Sequence, residues 1–199
     1  KINPIHHYKL LIMDDISNLI DTVTSNGQQL NADDLISADK IITVTGIKRS
    51  TSKQQPLSID YYGMQTNRPF KPCLTMRKIL FAEWGTDGRQ WVGKSMKLYR
   101  DSEVKFGTEK TGGIRISHLS DIEKQAVHNL LVSKMKRQEF VINKLPTYPQ
   151  AEFDQKAAAW VAAIKEGKIT LDQVIEKASA TGVLTATQIG VLNEQIKAT

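Results

Sequence analysis

Apolar and polar positions change their period several times along the chain, and each change marks an element. After Met13-Asp14-Asp15, apolar residues at Ile16, Leu19, Ile20 and Val23 recur with the spacing of a short helix led by acids. The stretch from Lys40 to Lys48 is rich in β-branched residues and predicts a long first strand. A polar turn from Ser50 to Gln55 leads into Pro56 to Gly63, which alternates as a second strand. Pro69 and Pro72 mark a loop, and Met76, Ile79, Leu80 and Trp84 then restore a helical period that Gly85 ends. Strand-like runs resume from Gln90 to Arg100, Gly113 to His118 and Glu139 to Leu145. About five short strands around one inserted helix predict an α+β fold whose main domain is a small OB-like β-barrel.

The character changes at Pro146-Thr147-Tyr148-Pro149, which has the composition of a linker. Phe153, Ala157, Trp160, Val161 and Ile164 then trace an amphipathic helix stopped by Gly167. Two units of the form Gly-x-[Ile/Leu]-Thr-x-x-Gln-[Val/Ile] follow, Gly167 to Val174 and Gly182 to Ile189. In each, the threonine (Thr170, Thr185) suits an N-cap and the glutamine three residues on (Gln173, Gln188) returns the bond, which is a capping box. The expected organisation is therefore an N-terminal extension with a short helix over 1–36, an OB-like barrel over 37–147 and a C-terminal three-helix module over 148–199. Residues 1–12 have little pattern and read as an added extension, with His6-His7 in a surface tail rather than at a metal.

Composition narrows the function classes. The chain has 199 residues, 40% hydrophobic and 24% charged, within the range of soluble globular proteins. No apolar run approaches the ~20 residues of a membrane span, so no membrane partner is expected. A single cysteine, Cys73, allows no internal disulfide and suits a reducing cytoplasm. The net charge of +6 is unevenly placed: residues 1–40 carry −3, residues 148–199 carry −1, and residues 41–147 hold nineteen Lys/Arg against nine Asp/Glu, or +10. That distribution points to a surface that meets phosphates.

Gly88 to Ser95 fits the nucleotide-binding pattern G-x-x-x-x-G-K-[ST]. The pattern needs a buried strand before its first glycine and a helix opening at the Lys-Ser pair, whereas the sequence before it has a helical period and the sequence after it alternates. Trp91 and Val92 are bulky for a loop that wraps a phosphate, and no later strand ends in an aspartate suited to magnesium. The match is read as coincidence, and the segment as a turn leading into a barrel strand. His118, Asp121, Glu123 and His128 lie near one another in sequence, but they fall on a strand and a following polar loop or helix, with no second acidic cluster for a two-metal site. Ser117-His118 has no orienting acid at a fixed spacing. No catalytic residue, metal site or cofactor is expected.

Cations and aromatic rings alternate more widely. Lys48 and Arg49 close the first strand, Tyr61 and Tyr62 the second, and Arg68 and Lys71 lie in the loop. Trp91, Lys94, Lys97, Tyr99, Arg100, Lys105 and Phe106 continue the alternation; Arg115 lies on the next strand, and Lys134, Lys136 and Arg137 precede the last. Such a set supplies what a single-stranded nucleic-acid groove needs, cations along the phosphates and rings for stacking. Trp84, Phe81 and Phe140 are the expected core rings.

The succession Gln55-Pro56-Leu57-Ser58-Ile59, Arg68-Pro69-Phe70-Lys71-Pro72-Cys73, Trp84-Gly85, Trp91 to Tyr99 and Gly112-Gly113-Ile114-Arg115-Ile116-Ser117-His118 resembles a group of poorly characterised bacteriophage and prophage proteins found among replication and recombination functions. The resemblance covers about residues 30–145 and implies a phage origin and work near DNA, without an activity or catalytic residue to carry over. The helical tail resembles the small C-terminal modules of phage single-strand annealing proteins. The function expected is a non-enzymatic phage-derived protein that binds single-stranded DNA, or RNA, in recombination or replication, with residues 148–199 recruiting a replication, recombination or host protein. The alternative is a phage interaction protein that inhibits or adapts a host complex by protein contacts alone.

Overall fold

The computed structural model of the chain describes residues 27–64, 67–133 and 135–198. The expected helix from Ile16 to Val23, the His6-His7 pair and Lys134 lie outside the described residues. A 3-10 helix, Ala32–Leu35, precedes the β-branched run, which forms β1 (Lys40–Arg49). The chain returns antiparallel as β2 (Leu57–Tyr61) and then forms α1 (Leu74–Trp84). A 3-10 helix at Gly88–Trp91 leads to β3 (Ser95–Asp101). The hairpin of β4 (Lys105–Phe106) and β5 (Glu109–Lys110) follows, and then β6 (Gly113–Leu119), β7 (Ala126–Leu131) and β8 (Arg137–Lys144). The helices α2 (Gln150–Lys165), α3 (Leu171–Ala178) and α4 (Ala186–Lys197) complete the described chain.

The fold is α+β. Six strands make one sheet in the order β2-β1-β3-β6-β8-β7, antiparallel except for the parallel pair of β6 and β8. The expected closed barrel is not formed by these pairings: β2 and β7 are the ends of an open sheet. Helix α1 packs on the apolar face of the sheet. Its Met76, Ile79, Leu80 and Trp84 are buried in the same core as Ile42 and Val44 of β1, Met96 and Leu98 of β3, Ile116 of β6 and Phe140 and Ile142 of β8. At one edge of the sheet Glu83 of α1 meets His128 of β7 at 2.8 Å, and near the other Phe81 lies beside Ile47 and Leu57 of β1 and β2. The helix thus buries the apolar face that a closing strand ladder would otherwise bury.

Two departures from the sequence pattern have local causes. The run expected as a strand from Gln90 starts as a 3-10 turn, because the Asp87 side chain accepts a bond from Arg89 N at 3.1 Å and caps it. Ladder pairing begins only at Ser95. The second departure is β7, expected as polar loop or helix; it is an edge strand whose residues alternate between half-buried and exposed, so it carries no strong apolar signal. Trp84 and Phe140 are buried as expected, whereas Phe81 is 43% exposed.

The C-terminal helices have their own core of Tyr148, Phe153, Ala157, Val161, Val174, Leu184, Ile189 and Leu192. Both expected capping boxes are present, Thr170 with Gln173 and Thr185 with Gln188. Pro146 to Tyr148 is fixed to the module by paired backbone: Val183 N donates to Pro146 O and Tyr148 N to Val183 O. Tyr62 packs against the helical core, and Gly93, at φ +84°, lies so close to α4 that a Cβ there would sit 2.6 Å from that of Ala186. No helix among the described residues is long and apolar enough to cross a membrane.

Candidate nucleic-acid interface

Around Gly88 to Ser95 the order is helix α1, 3-10 turn, strand β3, so the strand–loop–helix order of a phosphate loop is not formed. Trp91 is 1% exposed and donates from Nε1 to Gly85 O at 3.1 Å, with its ring 5.6 Å from Phe81 and 5.9 Å from Trp84. This corrects the expectation that Trp91 stacks bases from a strand face; the 3-10 turn tucks it into the core. Lys94 is half-buried, with its ammonium 5.7 Å from the centre of the Trp84 ring.

Arg68 is the second correction. Its side chain is buried, with Nη2 2.7 Å from Asp34 Oδ2 and Nε donating to Gly27 O at 3.1 Å, so it fastens the segment before β1 instead of facing a strand of nucleic acid. Tyr61 donates to Arg68 O, and burial pushes the Tyr61 phenol up to about 12.

Other predicted contacts already have acidic partners. Lys97 pairs with Asp39 at 3.0 Å and Arg100 with Asp33 at 3.4 Å. Arg115 pairs with Asp101, lies over the Phe140 ring and donates to Cys73 Sγ. Lys48 is exposed but reaches Asp60 at 2.7 Å. Tyr99 is half-buried, and burial, with Asp101 assisting, raises its phenol pKa. His118 lies across the ladder from Lys97, and burial first and that lysine second hold its imidazole below the usual value.

The remaining residues fall on separate surfaces rather than in one groove. Arg49 lines two adjoining clefts. One, of about 680 Å³, is also lined by Lys48 with its partner Asp60, Ser58 and Lys71 on the outer side of β1 and β2. The other, of about 360 Å³, lies between the end of the β1–β2 hairpin and α1, where Ile47, Leu57, Phe81 and Trp91 form an apolar wall beside Arg77. Sequence reasoning missed Arg77; the available signal was its place one helical turn before Phe81, the i,i+4 spacing that puts two side chains on one face.

A third cleft, of about 540 Å³, separates β1 and β3 from α3, but Asp39, Asp172 and Glu176 line it together with Lys40, Tyr62 and Lys97, a mixture that does not favour a polyanion. Lys136 and Arg137 are exposed at the β7–β8 hairpin, next to Met135 at 96% exposure, and Lys105 is exposed on the β4–β5 hairpin. Among the described residues no three His, Cys, Asp or Glu side chains converge as a metal would require, and His118 and His128 are separately engaged with Ser117 and Glu83. The chain matches no protein-family model, no curated protein and no solved structure.

Proposed function

We propose that this chain binds single-stranded nucleic acid through its sheet domain, and that by its resemblance to phage replication and recombination proteins the ligand is single-stranded DNA. The observation that carries the reading is Arg49, which lines two clefts, one with Arg77 and the exposed ring of Phe81 and the other with Lys71 and the Asp60-paired Lys48. Cations in sequence with an accessible ring are the two parts of a single-strand site. The topology supports it as well. Apart from β2, the order β1-β3-β6-β8-β7 with one parallel pair is the strand order of an OB barrel, a framework that binds oligonucleotides. In this chain the sheet is open with β2 on the outer edge of β1, α1 shares its apolar core, and the β7–β8 hairpin carries Lys136 and Arg137.

Binding of a labelled oligonucleotide followed by anisotropy across a salt series tests this. Affinity should fall log-linearly with salt, with a slope of about −0.7 for each phosphate neutralised. No affinity at low salt, or affinity independent of salt, refutes it.

A protein partner without nucleic acid is the second reading. It is favoured by the outer face of β7 and β8, where the exposed Val127 and Val141 oppose each other with Leu131 on the same face, interleaved with Asn129, Glu139 and Arg137. A partner that co-purifies after nuclease treatment, from a chain with no oligonucleotide affinity, selects that reading.

A further inference from the structure

The small groove beside α1 has a more specific chemistry than the surface around it. Its walls are apolar, from Ile47 and Leu57 on the strands and Phe81 and Trp91 across from them. Phe81 keeps 43% of its surface open while its ring is held 5.6 Å from that of Trp91, so an accessible aromatic face comes already positioned. Arg49 and Arg77 line the same groove and no carboxylate does, in contrast to the ion-paired cations elsewhere on the sheet. The Nε of Arg77 is buried and makes no hydrogen bond, an unfavourable state that it shares with the Nε of Arg100 outside the groove. The volume of about 360 Å³ is at the small end of ligand pockets, which run from ~300 to 1,000 Å³.

We infer that this groove is the anchor position of the bound strand: one unpaired base lies against Phe81, its neighbouring phosphates meet Arg49 and Arg77, and the backbone continues past Arg49 toward Lys71. The inference rests on the nucleic-acid reading above and adds to it where the strand is held and by what. An aliphatic peptide segment fits the walls but leaves both guanidinium groups unanswered. A base with its phosphate answers the ring and the cations together.

The full chain and the variants Phe81→Ala, Phe81→Leu, Arg49→Gln and Arg77→Gln are titrated with a labelled oligothymidylate over a salt series, and thermal melts accompany each variant. Phe81→Ala should weaken binding by roughly 5- to 150-fold, the loss of one stacked base, with the salt slope unchanged. Phe81→Leu keeps an apolar contact to Trp91 but removes the ring, and should weaken binding too even if the alanine variant melts early. Each arginine variant should lower the slope by about 0.7.

Wild-type binding that all four variants retain overturns this site and leaves the nucleic-acid reading standing. No binding by the wild type removes both. A mononucleotide that displaces the strand at the strand's own concentration overturns the anchor reading in favour of a free-nucleotide pocket.

Discussion

Arg68 shows at the scale of a single residue how a cation suited by type to a phosphate becomes structural. Its partner Asp34 also accepts from Asn31 N at 2.7 Å, so the pair ties the loop before α1 to the 3-10 helix before β1. Removing one member strands a buried charge, and Arg68→Ala should cost about 3–5 kcal/mol in urea melts. Arg68→Met combined with Asp34→Asn removes both charges and keeps an acceptor for Asn31 N, and should recover most of that loss. His118 provides a pH test. Its folded pKa is depressed, so the unfolded chain takes up the proton first; stability is complete above the free imidazole value of ~6.5 and declines as pH falls through the folded one. Melts between neutral and mildly acid pH should show this decline, and His118→Gln should flatten it in that window.

At the scale of elements, the two capping boxes share a sequence pattern but not a setting. Thr170 and Gln173 cap α3 at the surface. Gln188 is 3% exposed, and beyond its cap bond it donates from Nε2 to Tyr148 O and Gln150 Oε1, joining the start of α4 to that of α2. Thr170→Ala and Thr185→Ala should each cost about 0.5–2 kcal/mol. Gln188→Ala should cost more than either, because it also leaves the Tyr148 carbonyl buried and unpaired. Chemical denaturation of the three variants orders them. Gly93 is the element-level joint between sheet and module: its left-handed φ and its approach to Ala186 both exclude a side chain, so Gly93→Ala should lower the melting temperature and loosen α4 against the sheet, as seen in amide hydrogen exchange.

For the whole molecule, the charge segregation along the chain is partly undone by folding. The acidic segment before β1 supplies Asp33, Asp34 and Asp39, and these meet Arg100, Arg68 and Lys97 of the basic middle. The salt dependence of any nucleic-acid complex should therefore report few phosphate contacts, those near Arg49 and on the hairpins, rather than one for each cation of the +10 segment. A slope corresponding to ten or more contacts would mean that these ion pairs open on binding.

What could be read from the sequence follows the range of the interactions involved. Capping boxes, glycine stops, the β-branched β1 and the period of α1 are local, since the residues that satisfy them lie within a turn, and each was visible in the chain. Even the cation-and-ring alternation was visible as a class of surface. Which of those side chains remain available was settled by partners tens of residues away. Trp91 is buried against the rings of Phe81 and Trp84 on a helix, Arg68 pairs across 34 residues, and Arg77 lines one cleft with Arg49 only because α1 packs beside the β1–β2 hairpin. Closure of the sheet is likewise non-local, because a strand's pattern records that one face is apolar and not whether a ladder or a helix covers it.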